Sequence, residues 1–200
     1  MEFRAPRSGM LQVLARALDI PAERESSFLG RFQHLQRLSL IEGINPGRGK
    51  AAQYQAHQVV VIALAFQLLQ LGISPEKAVQ MIKANQDRVR LAISLAIGLK
   101  DFEPSYLWFD AALLSQTSDN DRAEATFDYG GAGVVRERFD TFFNKDEVQR
   151  MAFISVTNTI YAIVDNLPEV DGPGLREFMQ RGFVQSLRDW RDNSNPDSLM

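Results

Sequence analysis

Side chains able to bind nucleic acid are concentrated in one short stretch of the N-terminal half. Arg31, Gln33, His34 and Arg37 recur within a segment that has helical spacing. Arginine can pair with guanine edges and glutamine with adenine, and all of these side chains can hold phosphate. Spacing alone favours the ordinary alternative, a solvated helix face. The neighbouring elements must therefore decide whether this face reads DNA.

The next stretch, EGINPGRGKAAQY, is rich in residues that demand turns. Ile44 and Tyr54 flank it, which predicts a small hairpin with Arg48 and Lys50 at its tip. A basic hairpin beside a helix can lie along the phosphate backbone as a wing. Salt screens such contacts, so we expect binding to weaken as ionic strength rises.

Apolar periodicity predicts the helices that would position these two groups. The first spans Gly9–Leu18. The second starts between Pro21 and Ser27, and its predicted buried stripe consists of Phe28, Phe32, Leu35 and Leu38. The third, apolar on most sides, spans residues 55–71 and ends at Gly72. Residues 1–8, with Arg4 and Arg7, are expected to be a frayed terminus, or alternatively a basic arm on phosphate.

A fourth helix is predicted from Pro75 to about Gly98, with Ser74 as its N-cap. Its apolar residues follow a 3-4 spacing that includes Val89 and Ile93. Such a stripe is typical of a helix-pairing seam and would make the protein a homodimer. Packing of the same stripe on the chain's own C-terminal half explains the spacing equally well.

Residues 10–83 resemble the MerR-type winged helix-turn-helix family. The order of helix, turn, helix, wing and helix is similar, and the matching pieces are Ser39-Leu40-Ile41, Tyr54 and Leu71-Gly72-Ile73-Ser74. The resemblance implies a transcriptional regulator that binds double-stranded DNA. It implies no metal sensing here, because the metal-binding cysteines of such proteins are absent.

The chain departs from the family at the expected phosphate contacts. Gln33-His34-Leu35 stands where the family has Arg-Tyr-Tyr. The wing arginine of the family corresponds to a position near Ala52 in this chain. Phosphate contacts would have to come from Arg31, Arg37, Arg48 and Lys50. The departures leave two alternatives open. One is a protein-interaction adaptor that keeps the winged-helix fold, and the other is an excisionase-like architectural DNA-binding protein.

The C-terminal half has a different pattern. SYLWFDAALL and MAFISV read as strands, EATFDYGGAGVVRERF as two strand-like pieces around a glycine-rich turn, and the segment from Leu175 to Leu187 as an amphipathic helix. We therefore predict a mainly α protein with an α+β C-terminal half. Its predicted parts are a MerR-like winged helix-turn-helix in residues 1–73, a long linking or dimerisation helix in 74–100, a small α+β regulatory or assembly domain in 101–192 and a disordered tail in 193–200.

Charge differs sharply between the halves. Residues 1–100 carry 13 Lys/Arg and 7 Asp/Glu, giving +6, whereas residues 101–200 carry 9 and 18, giving −9 and the total of −3. A basic half joined to an acidic half is typical of a DNA-binding domain with a separate regulatory domain. An effector for that domain, if there is one, stays unknown.

The remaining residues predict neither an enzyme nor a cofactor. The chain has no cysteine and only two histidines, and no serine, histidine and carboxylate set has the spacing of a triad. The N-terminus lacks an apolar signal core, and no apolar run approaches the ~20 residues of a membrane span. We expect a cytoplasmic, nucleoid-associated protein without membrane contact.

Overall fold

The structure, a computed structural model, describes residues 2–42, 44, 51–98, 104–111, 127–142, 151–167 and 175–193. Within these ranges the chain forms eight α-helices and two small antiparallel sheets, so it is a mainly helical α+β protein. The general class predicted from sequence is thereby confirmed. None of the helices in the described ranges is both long and apolar enough to cross a membrane.

The N-terminal half is helical with one two-stranded sheet. Its elements are β1 Arg4–Pro6, α1 Arg7–Ala17, a 3-10 turn Ala22–Arg24, α2 Glu25–Arg37, β2 Gln53–Gln55, α3 Ala56–Gln70, α4 Pro75–Ala84 and α5 Gln86–Ile97. Helices α1, α2 and α3 confirm the three predicted from periodicity. The predicted frayed terminus is wrong, because β1 pairs antiparallel with β2 and places Ala5 opposite Tyr54.

Helices α1, α2 and α3 are each followed by a residue in the left-handed backbone conformation, namely Asp19 (φ 51°), Ser39 (φ 56°) and Gly72 (φ 93°). In α2, the N–H of Ser39 donates to Gln36 and that of Leu40 to Leu35, which is the Schellman arrangement. Only the third helix has the glycine that this conformation favours. Asp19 and Ser39 therefore carry local backbone strain.

Ser39→Gly is expected to stabilise the fold. An L-residue in the left-handed region costs about 1–2 kcal/mol, and the flexibility of glycine in the unfolded chain offsets about half of that. A net gain of about 1 kcal/mol should raise Tm by roughly 2–4 °C in calorimetry. Ser39→Ala keeps the Cβ and should bring no gain, so equal Tm values for the two variants would contradict the explanation.

The predicted fourth helix is in fact two helices. Ser74 caps α4 as predicted, its hydroxyl accepting the Lys77 N–H at 3.3 Å. Asn85 then interrupts the helix, donating from its side-chain amide to Met81 and accepting the backbone N–H of Phe127 at 3.1 Å. The break occurs because Asn85 ties the helix to the segment that precedes a strand of the C-terminal half.

The predicted pairing seam is wrong. Val89 and Ile93 are 1% and 0% exposed, because α5 packs inside the chain against elements of the C-terminal half. The 3-4 spacing of apolar residues therefore reflects packing of α5 within the chain. This outcome decides between the two explanations that the sequence left open.

The C-terminal half contains a three-stranded sheet and three helices. Its elements are β3 Ser105–Asp110, β4 Asp128–Gly131, α6 Ala132–Phe142, β5 Met151–Ser155, α7 Val156–Asp165 and α8 Leu175–Asn193. The strand order is β4-β3-β5, with both pairs antiparallel. Three predicted strands and the last helix are thereby confirmed, although the tail from 194 onward lies outside the described residues.

The second strand predicted around the glycine-rich turn is wrong, since that stretch is helix α6. A Cβ added at Gly130 would lie 2.9 Å from Val134 Cβ and 3.3 Å from Trp108. The missing side chain lets α6 pack directly against β4. Gly130 thus serves close helix–strand contact rather than a strand-to-strand turn.

One hydrophobic core runs through both halves of the chain. Helix α3 lies at its centre, with twelve of its fifteen residues buried, and packs against α1, α4, α7 and α8. At one end Phe3 meets Phe183 edge-on, with 4.9 Å between ring centroids. Gln67 of α3 also donates to the Thr159 hydroxyl of α7 at 2.9 Å. The two predicted domains therefore share a core.

Candidate nucleic-acid interface

Helix α2, which carries four of the predicted contact residues, is held by one apolar face. Phe28, Phe32 and Leu35 are buried, as their 3-4 spacing predicts. Phe28 packs on Phe66 of α3 with 4.6 Å between ring centroids, and Phe32 lies 6.2 Å from the ring of Tyr54. These contacts turn the opposite face of α2 away from the core.

A hydrogen bond ties α2 to the strand at the root of the predicted wing. The Gln36 amide donates to the hydroxyl of Tyr54 at 2.7 Å, and Tyr54 is 1% exposed. Burial raises the pKa of Tyr54, while Arg7 and this hydrogen bond oppose the rise. The hydroxyl therefore stays protonated at neutral pH, and β2 is fixed relative to α2.

The outward face of α2 presents Arg31, Gln33 and Arg37, all exposed. In the described part of the chain, these three side chains have no ion pair and no side-chain hydrogen bond. Several other cations are engaged with carboxylates, namely Arg4, Lys83, Arg138 and Arg191. The donors of Arg31, Gln33 and Arg37 are thus available to a partner.

His34 differs from its neighbours on α2. Its Nε2 lies 3.0 Å from a carboxylate oxygen of Glu76, in the first turn of α4. The pKa of Glu76 is lowered chiefly by a hydrogen bond from its own backbone N–H, and the Ser74 hydroxyl and His34 add to this effect. His34 already has an intramolecular partner, so its contact with DNA stays a prediction.

Arg48 and Lys50, the predicted wing residues, lie outside the described residues, and their role stays a prediction. The fold adds a different cation to the site. Arg7, at the start of α1, places its guanidinium carbon 5.3 Å from the ring centroid of Phe32. The sequence predicts a frayed terminus around Arg7 or, alternatively, a basic arm on phosphate. Pairing of β1 with β2 instead brings Arg7 beside α2.

Gly30 interrupts the outward face of α2. It shares a stripe with Gln33 and Arg37, at i, i+3 and i+7. It is exposed, and a Cβ built there meets no described heavy atom within 4 Å. Glycine within a helix costs about 1 kcal/mol relative to alanine. Packing within the described chain gives no reason for this cost, whereas close approach of a partner to the helix backbone would.

Metal-ligand clusters were sought among the side chains of the described ranges. Among those residues, no three His, Asp or Glu side chains come together in a way that could hold a metal ion. The outward face of α2 presents hydrogen-bond donors and positive charge through Arg31, Gln33 and Arg37.

No protein-family model, curated protein or solved structure matches the chain. The resemblance to MerR-type regulators consequently rests on the residues quoted above.

Proposed function

We propose that this protein is a DNA-binding transcriptional regulator that uses a MerR-like winged helix-turn-helix. In this proposal α1 and α2 form the helix-turn-helix, and α2 enters the major groove of double-stranded DNA. The observation that carries the proposal is the outward face of α2. It presents Arg31, Gln33 and Arg37, without intramolecular partners among the described residues, on a helix fixed by its opposite face.

The chemistry of these side chains fits base and phosphate recognition. Recognition helices enter the groove with their N-terminal residues. Arg31 and Gln33 precede Arg37 on α2, so they are assigned to base edges, where arginine can pair with guanine and glutamine with adenine. Arg37 and Arg7 are assigned to phosphate, which fixes the position of the protein without reading sequence.

The uneven charge of the chain would orient the protein on DNA. The first hundred residues carry +6 and the last hundred −9. Attraction of the basic half to phosphate and repulsion of the acidic half favour docking through the N-terminal elements. We propose that two copies bind together, since one helix offers few base contacts and helix-turn-helix proteins usually read two half-sites. With the predicted seam buried, the pairing surface must lie elsewhere.

Selection from random double-stranded DNA with the purified protein tests the function. A regulator should enrich a defined motif at low salt, and a dimer should enrich two related half-sites about one helical turn apart. Circular dichroism of the same sample establishes that the protein is folded. Folded protein that enriches no motif would contradict the proposal.

A protein-interaction adaptor is the second candidate, and specific observations favour it. Of the residues standing where the family has Arg-Tyr-Tyr, Leu35 is 1% exposed and His34 pairs with Glu76. Two of those three positions are thus occupied within the chain. An adaptor that keeps the fold would give a folded sample and no enriched DNA motif, which is the outcome that separates it from a regulator.

Gly30→Ala is expected to separate stability from binding. Alanine should stabilise α2 by about 1 kcal/mol and raise Tm by roughly 2–4 °C. If DNA approaches the helix backbone at Gly30, the added methyl group should weaken binding roughly tenfold, about 1.4 kcal/mol. Melting curves and fluorescence anisotropy with the selected site measure the two effects.

Gly182→Ala is the matched control for this experiment. Gly182 also lies inside a helix, α8, with no described heavy atom within 4 Å of an added Cβ. The control should gain stability without any change in DNA affinity. If Gly30→Ala also leaves DNA affinity unchanged, this part of α2 does not contact DNA.

A further inference from the structure

A cavity of about 260 Å³ lies where the N-terminal segment, the start of α3 and the end of α8 meet. The side chains relevant to its chemistry are Glu2, Gln55, His57, Asp189, Trp190 and Asn193. The cavity lies away from the outward face of α2, and none of the residues assigned to DNA binding lines it. Its volume is slightly below the usual ligand range of roughly 300–1,000 Å³, so it suits a small compound.

His57 is the least expected residue of this cavity. It is 6% exposed, and its ring stacks on that of Trp190 at 4.9 Å and an interplanar angle of 4°. Neither ring nitrogen has a hydrogen bond to another described residue. The imidazole can therefore hydrogen-bond a ligand in the cavity.

The protonation state of His57 determines which hydrogen bonds its ring nitrogens can form with a ligand. Burial lowers the pKa of His57 to about 4, and the nearby Glu2 carboxylate opposes the shift. At neutral pH the imidazole is therefore uncharged, with one nitrogen donating and the other accepting. It can take a hydrogen bond from an ammonium or guanidinium N–H.

The charged residues that line the cavity are acidic. Glu2 and Asp189 both line it, and none of the described lining residues is a lysine or arginine. Glu2 is already engaged by Arg4 at 2.9 Å and by Gln55 at 2.8 Å. Asp189 accepts from the neutral amide of Gln185 at 2.8 Å and has no cationic partner in the described ranges. The uncompensated charge of the cavity is thus on Asp189.

We infer that this cavity binds a small organic cation, an alkyl ammonium or guanidinium compound. The positive charge lies against the Asp189 carboxylate, and N–H groups donate to the His57 imidazole and to the amide oxygen of Asn193. Trp190 contributes an aromatic wall to the cavity. The inference does not depend on the proposed DNA binding.

Isothermal titration calorimetry of the full chain tests this site with 1,4-diaminobutane and agmatine, using 1,4-butanediol as the uncharged counterpart. Saturable binding of a cation, with Kd below about 1 mM, is expected, and the diol should not bind. Tighter binding of agmatine would assign a guanidinium ligand, and tighter binding of diaminobutane an ammonium. Absence of saturable binding by both cations would overturn the inference.

Three variants locate the binding. Asp189→Asn should weaken it at least tenfold by removing the charge, and His57→Phe should weaken it while keeping an aromatic ring against Trp190. Asp192→Asn is the matched control, since this exposed carboxylate lies on the same helix and pairs with Arg191. If Asp192→Asn and Asp189→Asn weaken cation binding equally, the cations are attracted by the general negative charge of this surface. That result would overturn the proposed site. Asp189 is exposed, so its variant should fold, and circular dichroism checks this.

Discussion

Replacing Arg31 by alanine is expected to lower affinity for the preferred DNA site by roughly 1–3 kcal/mol, about five- to 150-fold. The side chain is exposed near the start of α2 and has no described intramolecular partner, so the loss should fall on DNA contact rather than on folding. Preference at one base position should relax at the same time. Anisotropy titrations at fixed salt, with the selected site and single-base variants of it, measure both effects.

Two other substitutions make this result interpretable. Arg37→Ala should reduce affinity for all sequences alike and make the dependence on salt shallower, as loss of a phosphate contact does. Arg136→Ala, an equally exposed arginine on α6 of the acidic half, should change neither affinity nor preference. If Arg31→Ala and Arg136→Ala have the same DNA affinity and the same base preference, Arg31 does not contact a base.

Acidification from pH 7 to pH 4 is expected to cost roughly 3 kcal/mol of unfolding free energy through His57 alone. Burial lowers the pKa of this imidazole from 6.5 to about 4. Between these two values the unfolded chain binds a proton that the folded chain does not, so stability falls as pH falls through that window.

His57→Phe isolates the contribution of the imidazole. Phenylalanine can stack on Trp190 but cannot take up a proton, so the variant should lose roughly 3 kcal/mol less than the natural chain between pH 7 and pH 4. Urea unfolding at several pH values gives the difference. A parallel loss in the two proteins, or a His57 ring that titrates near 6.5 by NMR, would show that the imidazole is not held neutral by burial.

Local sequence signals determined most of the helices. The spacing of Phe28, Phe32 and Leu35 predicted both the existence of α2 and its buried face, because burial on one side repeats every 3.6 residues. Ser74 and Gly72 marked a helix start and a helix end through their own backbone and hydroxyl chemistry. Such signals act over a few residues and can be read without knowledge of the fold.

The same signals failed where two remote segments meet. The stripe through Val89 and Ile93 has the same spacing whether it packs on a second chain or on its own C-terminal half. The break at Asn85 depends on Phe127, 42 residues away. Helix α6 was predicted as a strand because valine favours strands. Packing on β4 outweighs that local preference.

The candidate sites divide in the same way. The sequence by itself determined that Arg31, Gln33 and Arg37 lie opposite a buried stripe, because helical geometry alone fixes that relation. Only the tertiary structure decided that His34 is paired with Glu76 and that Arg7 lies over Phe32. The contact of His57 with Trp190 was also decided by the tertiary structure alone. Periodicity predicts that a residue is buried, but it does not predict which distant residue covers it.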